Sequence, residues 1–345
     1  MPFKIIRDDI TRVKADVIVN TANPMPVYGR GTDEAIYNAA DREELLEVRR
    51  KIGEMSPGEV AVSEAFALPA RYIIHTCGPQ WIDGEHQESD ILRSCYRKSL
   101  YLAEQLRCES IAFPLISTGS YGFPRSLGLE IALDEIRKFL DKKEMDVILV
   151  VYDKQSFALS KAITDRVESY IDDLYVQEHR PVYAAGGYSQ REKKNTPYLG
   201  NLYHPVDEPA DFSAAMPAEE SLHRRLKDVV EQTQETFQEK LLRMIDERGL
   251  TDVEVYKRAN IDRKLFSKIR CNPEYHPRKE TVLALAAALH LNLDETRDLL
   301  QRAGKALSPA DKADVIVQFC IENEVYDIYE INALLFMYDQ PLLCE

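Results

Sequence analysis

The feature that most constrains this fold is a short apolar strand that runs into a glycine-bearing loop and then a helix. Val19-Asn20-Thr21-Ala22-Asn23-Pro24 is followed by Gly29-Arg30-Gly31-Thr32-Asp33-Glu34-Ala35-Ile36. Such a unit brings backbone N–H groups and a helix N-terminus up to a phosphate. A second unit joins a buried strand to a helix through Ser117-Thr118-Gly119-Ser120-Tyr121-Gly122-Phe123-Pro124. Two phosphate loops in one region indicate a diphosphate ligand.

Apolar runs alternate with helical patterns over residues 1–170. The pattern predicts strands over residues 15–20, 72–76, 110–116 and 145–152, with helices such as 89–106 between them. This alternation predicts an α/β fold, a three-layer α/β/α sandwich around a largely parallel sheet. Ligands of such sheets bind at the carboxyl ends of the strands, where both loops lie.

Length and composition bound the classes of protein that fit. A chain of 345 residues with 45% hydrophobic residues predicts more than one domain. Its formal net charge of −14 argues against a surface that coats nucleic acid or membrane, so any nucleic-acid contact must be local. The six scattered cysteines and the absence of a leader or membrane-spanning pattern predict a cytoplasmic protein with no metal site and no membrane contact.

The second half of the chain changes character twice. Residues 171–218 are rich in proline and glycine without a sustained period, which predicts a linker. Residues 219–345 are helical in pattern: Thr251 and Glu254 have capping-box spacing, and Asp262 is placed to cap the next helix. Gly249 and Gly304 are predicted helix stops. We therefore expect an all-α domain after the linker.

The first half resembles the macrodomain family, whose members bind ADP-ribose. The resemblance covers about residues 1–161 and rests on ordered pieces. These are Asp8-Asp9-Ile10, residues 19–23 and 29–36, Tyr72-Ile73-Ile74-His75-Thr76-Cys77-Gly78-Pro79, and residues 116–124. It implies ADP-ribose as ligand or product, without a cofactor. The ligand-binding residues that it implies are Asp9, Ile10, Asn20, Gly29, Arg30, Gly31, Ser117, Thr118, Gly119, Ser120, Tyr121, Gly122 and Phe123.

By the same resemblance, Asp9 binds the adenine amine, with Asp8 as the nearby competitor, although Asp9 could instead cap a turn. Asn23 is implied to contact the distal ribose, while Asn20 braces the loop from inside. Asp33 is implied to assist an attacking water, which with Asn23 gives the predicted catalytic pair. A carboxylate at a helix N-terminus, favoured by the dipole, is the alternative for Asp33.

The roles of three further residues stay open, and a fourth residue is interpreted as structural. Tyr28 and Arg30 interrupt a glycine run that is usually unbroken in the family; Tyr28 could narrow the pocket, and Arg30 could bind phosphate or point to solvent. Tyr121 could cover the diphosphate or distal ribose, or belong to the core. His75 lies within an apolar strand and is interpreted as structural.

Residues 237–306 resemble the five-helix Cro/repressor-like helix-turn-helix domain. Residues 257–279 contain eight Lys and Arg residues but only two acidic residues. The resemblance implies that the recognition helix could contact nucleic acid through five residues: Arg263, Lys264, Ser267, Lys268 and Arg270. The alternative is that this basic face meets an acidic protein, which could be the macrodomain itself.

Together these observations predict an ADP-ribosyl hydrolase that removes ADP-ribose from modified macromolecules and is targeted by a C-terminal DNA- or protein-binding domain. The alternatives are a noncatalytic ADP-ribose reader and a transcription regulator that responds to free ADP-ribose. The sequence leaves open whether the substrate is protein, DNA, RNA or a small O-acetylated ester.

Overall fold

The computed structural model describes residues 3–152, Val167, Tyr170 and 235–343. The predicted linker over residues 171–218 lies outside the described residues, as do residues 219–234. The two described stretches belong to one compact unit.

A six-stranded sheet forms the centre of residues 3–152. Its strands are β1 (Phe3–Arg7), β2 (Val17–Thr21), β3 (Val60–Glu64), β4 (Tyr72–Thr76), β5 (Ser110–Pro114) and β6 (Asp146–Val151). Their order across the sheet is β1-β6-β5-β2-β4-β3. Every neighbouring pair is parallel except β3 and β4, which are antiparallel. The predicted strands thus appear at the predicted places, and β3 adds the antiparallel edge.

Helices cover both faces of the sheet. They are α1 (Thr32–Ala40), α2 (Arg42–Ile52), α3 (Glu88–Gln105) and α4 (Arg125–Leu140), and a 3₁₀ turn spans Ile10–Arg12. Side chains of α1 and α2 pack with Ile18, Ile73 and Ile148 on one face. Those of α3 and α4 pack on the other face with Val17, Ile74 and other alternating strand residues. The predicted three-layer α/β/α fold is confirmed.

The strands β2 and β5 separate early. Their paired register ends at Ile18 opposite Ala112, although both strands continue beyond those residues. On one side β2 neighbours β4, and on the other side β5 neighbours β6. The sheet order therefore reverses between these strands, which opens a crevice at their carboxyl ends.

The described part of the second half is entirely helical. Its helices are α5 (Phe237–Glu247), α6 (Asp252–Arg258), α7 (Arg263–Cys271), α8 (Lys279–Ala288), α9 (Leu293–Arg302), α10 (Lys312–Glu322) and α11 (Ile328–Met337). The predicted capping box of Thr251 and Glu254 is present, and Asp262 accepts a hydrogen bond from Leu265 N at 2.8 Å. Gly249 and Gly304 adopt positive φ angles just after α5 and α9, as helix-stop glycines do.

This helical region packs directly on the α/β region. One continuous cluster of buried side chains runs from Phe3 and Ile136 to Leu285 and Ile331. The rings of Phe3 and Tyr329 lie 5.0 Å apart. None of the helices in the described stretches is long and apolar enough to cross a membrane.

Candidate functional site

Two adjoining cavities follow the crevice at the carboxyl ends of β2 and β5. One has a volume of about 270 Å³ and is lined by Asn23, Asp33 and Tyr121, among others. The second, of about 440 Å³, includes Asp9 in its lining. Gly31, Thr32, Leu115 and Gly119 line both cavities. The two glycine loops therefore meet at the middle of one elongated cleft, whose ends we call the Asn23 end and the Asp9 end.

The backbone of both loops is shaped for close approach. Gly31 has a φ of +76° and directly precedes α1, and Gly122 has a φ of +67° shortly before α4. Ser117 also has a positive φ, and its hydroxyl is buried without a hydrogen-bond partner in the described structure. Helix N-termini and glycine N–H groups on both sides of the cleft favour an anionic ligand between them.

Asp33 lies at the start of α1 with 3% of its surface exposed. Its Oδ1 accepts a hydrogen bond from Asn20 Nδ2 at 2.6 Å, and its Oδ2 accepts one from Gly29 N at 2.5 Å. Burial raises the pKa of Asp33, and these two hydrogen bonds and the charge of Arg49 oppose that rise. Asp33 thus holds the first glycine loop while it lines the Asn23 end, and its role toward an attacking water stays a prediction.

A buried polar chain extends from Asp33 through the sheet. Asn20 Nδ2 also lies 3.2 Å from His75 Nδ1, and His75 Nε2 lies 2.9 Å from Ser63 Oγ. Burial, reinforced by the charge of Arg49, lowers the pKa of His75 to about 3. A neutral ring that accepts at Nδ1 must carry its proton on Nε2 and donate to Ser63, which in turn donates to Glu64 O at 3.1 Å. His75 is therefore a buried bracing residue, as its apolar strand indicated.

Asn23 is held on three sides. Its Nδ2 donates to Val27 O at 3.1 Å, and its Oδ1 accepts from the Tyr121 hydroxyl at 3.2 Å. Arg49 Nη2 donates to the Asn23 carbonyl at 3.1 Å. Arg49 is almost fully buried in α2, and sequence reasoning missed it because a charged residue in a charged amphipathic helix normally faces water.

Asp9 and Ile10 line the Asp9 end of the cleft. Asp9 Oδ1 accepts from Thr11 N at 2.9 Å and from Thr11 Oγ1 at 2.8 Å, so this residue caps a turn as well as facing the cavity. Tyr152, at the end of β6, lines the same end with most of its side chain exposed. Sequence reasoning assigned Tyr152 only to the last position of a predicted strand; a tyrosine at the carboxyl end of a strand was the available signal for a site residue.

The remaining residues predicted to bind the ligand divide into those that line the cleft and those that do not. The Asn23 end is lined by Gly29, Arg30, Ser117, Ser120 and Tyr121, the Asp9 end is lined by Thr118, and Gly119 lines both. Asn20, Gly122 and Phe123 line neither end. Phe123 is buried, with its ring 4.8 Å from that of Trp81, so its side chain supports the loop from below.

Tyr28 and Arg30 depart from the glycine run in different ways. Arg42 lies over the Tyr28 ring, with its guanidinium carbon 4.7 Å from the ring centre, and the Tyr37 ring lies 5.7 Å away. Tyr28 is thereby held outside the lining of both ends, so it does not narrow the described cleft. Arg30 is exposed and lines the Asn23 end, where its guanidinium can reach an anion.

The five residues predicted for a nucleic-acid contact all lie on α7 and are exposed. Arg263 and Lys264 line a cleft that they share with Glu109, Glu144 and Asp146 of the α/β region. Arg270 pairs with Asp252, and the Lys268 ammonium lies 4.7 Å from the centre of the Tyr275 ring. The first turn of α7 thus faces an acidic surface of the same chain, and the DNA contact stays a prediction.

One cluster in the described part of the chain has metal-ligand composition. Asp83, His86 and Glu88 place their ligand atoms within 4.8 Å of one another. However, Glu88 accepts hydrogen bonds from the N–H groups of Ile82, Asp83, Gly84 and His86. These bonds brace the loop before α3, so we assign no metal to this cluster.

Comparison with known proteins gives matches over the first half of the chain. The Macro domain family matches residues 19–132. A Macro domain-containing protein of Methanosarcina mazei is 43% identical over 165 residues, which is 47% of this chain and 88% of that protein. A Citrobacter rodentium protein named O-acetyl-ADP-ribose deacetylase is 44% identical over 160 residues, 45% of this chain and 90% of that protein.

Solved structures give matches of similar extent. An Oceanobacillus iheyensis macrodomain with MES bound is 34% identical and covers 50% of this chain and 92% of that chain, with a TM-score of 0.43. A Trypanosoma brucei macrodomain in complex with ADP-ribose is also 34% identical and covers 45% of this chain and 66% of that chain, with a TM-score of 0.42.

Proposed function

This chain belongs to the macrodomain family, and from that premise we propose that its α/β region binds ADP-ribose and hydrolyses it from modified macromolecules. The cleft carries the proposal. Its glycine loops meet at Gly31 and Gly119, with Asp9 at one end and the predicted catalytic pair at the other. A diphosphate at the middle directs its adenosine to the Asp9 end and its distal ribose to Asn23 and Asp33.

In the proposed reaction, a water oxygen bonds to the anomeric carbon of the distal ribose. The bond from that carbon to the macromolecule breaks, and the leaving group takes up a proton. Asn23 orients the ribose hydroxyls, since an amide both donates and accepts. Asp33 accepts the proton of the water, because each carboxylate oxygen keeps acceptor capacity beside its existing hydrogen bond. Water is the only co-reactant.

A raised pKa supports this role for Asp33. Burial brings the pKa of the carboxyl closer to neutrality than that of an ordinary aspartate, which improves its ability to take a proton in the transition state. The charge of a bound diphosphate raises that pKa further. Asn20, His75 and Ser63 keep the carboxylate oriented from below.

A second reaction is favoured by the relatives' names. Three relatives that are 40% to 44% identical over 160–162 residues carry the name O-acetyl-ADP-ribose deacetylase. Hydrolysis of a small ester at the distal ribose would use the same end of the cleft, so a release assay must include that substrate. A noncatalytic ADP-ribose reader is the alternative from another class.

Targeting by the helical region completes the proposal. The exposed basic face of α7 would bring the hydrolase to DNA or to an acidic protein. Arg263 and Lys264 line one cleft together with acidic residues of the α/β region, which favours a protein surface that carries carboxylates.

The test separates binding from release in the full-length protein. Asn23→Ala and Asp33→Ala are compared with Glu34→Ala, which removes the neighbouring carboxylate of α1 that lines neither end of the cleft. Calorimetry measures ADP-ribose binding, and chromatography measures ADP-ribose released from modified protein. The first two variants should lose release more than binding, and Glu34→Ala should keep both.

The outcomes are distinct. If the unmodified protein binds ADP-ribose but releases it from none of the modified substrates, the reader alternative is established. Neither binding nor release would refute the proposal as a whole.

A further inference from the structure

We propose that the helical region braces the adenine end of the cleft, with Asn260 and Asp339 as positioning residues that fix β1 and, through it, Asp9. The inference rests on the proposed binding of ADP-ribose. It assigns a role to residues 235–343, which lie beyond the Macro domain match at residues 19–132.

The brace begins at one edge of the sheet. In the described structure β1 pairs only with β6, so one edge of β1 has no strand beside it. Asn260 occupies that edge: its Nδ2 donates to Phe3 O at 2.8 Å, and its Oδ1 accepts from Phe3 N at 3.0 Å. The side-chain amide thus replaces a neighbouring strand and satisfies both backbone groups of Phe3.

The geometry of Asn260 is built for this contact. The residue is fully buried and follows α6 with a φ of +52°, a left-handed conformation that asparagine tolerates better than most side chains. Tyr329 of α11 packs on the Phe3 ring beside it. Lys257 adds hydrogen bonds to the carbonyls of Leu140 and Asp141 at the end of α4.

The other end of β1 is held as well. Arg7, its last residue, places Nη2 3.0 Å from Asp339 Oδ1, and its guanidinium carbon lies 5.4 Å from the centre of the Phe336 ring. The next residue is Asp8, whose Oδ1 accepts from Asp9 N at 2.7 Å and whose N–H donates to Val151 O at 3.3 Å. Asp9 therefore follows the braced strand after one intervening residue.

The Asp339 ion pair and the Asn260 hydrogen bonds should stabilise β1 to different extents. Arg7 and Asp339 form a partly exposed ion pair, and such pairs contribute little. The Asn260 amide makes two buried hydrogen bonds, and its loss leaves two buried backbone groups of Phe3 unsatisfied. Most of the brace therefore depends on Asn260.

The experiment uses the full-length protein and ADP-ribose. Asn260→Gly removes the side chain and keeps the left-handed backbone unstrained, and Asp339→Asn removes only a charge at the surface. Glu324→Gly is the control for a glycine at a left-handed position, because Glu324 is another left-handed residue of the helical region but, unlike Asn260, is exposed. Each variant is made alone and together with Asp9→Ala, and calorimetry gives the affinity of all of them.

We expect Asn260→Gly to weaken ADP-ribose binding about fivefold to tenfold, because only part of the stabilisation from its two hydrogen bonds reaches the ligand through Asp9. Asp339→Asn should weaken it about twofold, in keeping with an exposed pair, and Glu324→Gly should leave it unchanged. If the brace acts through Asp9, the Asn260→Gly loss should largely disappear in the Asp9→Ala background, since the two changes then remove the same contact.

Hydrogen exchange of the ligand-free variants gives a second measurement. Asn260→Gly should speed exchange over residues 3–12 and leave the rest of the sheet protected. Two results would overturn the inference and leave the proposed function intact. Asn260→Gly could bind ADP-ribose as tightly as the unmodified protein, or it could lose the same affinity with Asp9 present as in the Asp9→Ala variant. Failure of the unmodified protein to bind ADP-ribose would overturn the proposed function first, and the inference with it.

Discussion

Acidification should destabilise the α/β region through His75. The ring is fully buried, and its pKa is lowered from 6.5 to about 3 by burial and by the charge of Arg49. When the pH falls below 6.5, the unfolded chain takes up a proton at this residue, whereas the folded protein does so only near pH 3. The stability that neutral His75 provides is therefore complete above pH 6.5 and is lost progressively between pH 6.5 and 3.

The size of this effect follows from the two pKa values. Linkage gives a loss of about 2 kcal/mol in the free energy of unfolding between pH 8 and pH 5 from His75 alone. Other titrating groups add their own pH dependence, so the quantity to measure is a difference between two proteins. His75→Gln keeps a neutral polar side chain and removes the titration.

Urea unfolding at pH 8 and pH 5 provides the assay. Trp81 is the single tryptophan of the chain and contacts Phe123 beside the cleft, so its fluorescence reports on this region. The unmodified protein should lose about 2 kcal/mol more than His75→Gln between the two pH values. Equal losses would show that His75 is not the buried neutral group that the hydrogen-bonded chain to Asp33 requires.

Four further predictions concern the glycine loops, Asp9 and the basic helix. Gly78→Ala should destabilise the protein by about 1–3 kcal/mol in thermal or urea unfolding, because its Cβ would overlap the Ser117 hydroxyl. Gly119→Ala should leave stability unchanged, since its Cβ would meet open space, and yet weaken ADP-ribose binding in calorimetry by filling the phosphate site. Asp9→Ala should weaken an ADP-ribose affinity that we expect in the micromolar range, about −8 kcal/mol, and an unchanged affinity would exclude an adenine contact. Joint replacement of Arg263, Lys264 and Lys268 by Glu should abolish any salt-sensitive DNA mobility shift while circular dichroism stays unchanged; the absence of a shift in the unmodified protein would favour a protein partner.

The parts of the fold that the sequence predicted are those with local causes. The strand runs and the glycine loops are continuous in sequence, so their order and their meeting at one edge of the sheet followed from the α/β pattern. Thr251, Asp262 and Gly249 act within one helical turn of their own positions, and the structure confirms these caps and stops.

The parts that were missed depend on distant contacts. Asn260 bonds to Phe3 across 257 positions, and no local pattern marks an asparagine as the substitute for a neighbouring strand. Arg49 donates to the Gly53 carbonyl just after its own helix and to the Asn23 carbonyl in a separate loop, and the sequence of the helix does not reveal that second acceptor. The same applies to the chain from Asp33 to Ser63, whose members come from separate elements of the fold.

The central claim is that water attacks the anomeric carbon of a distal ribose held between Asn23 and Asp33. The most direct measurement is hydrolysis in ¹⁸O-labelled water of ADP-ribosylated protein, ADP-ribosylated nucleic acid and O-acetyl-ADP-ribose, with mass spectrometry of early products and free ADP-ribose as the exchange control. Release from at least one modified macromolecule should place the label in ADP-ribose and should be lost in Asp33→Ala. Label found only in the acyl product, or no release from any macromolecule, would contradict the central claim.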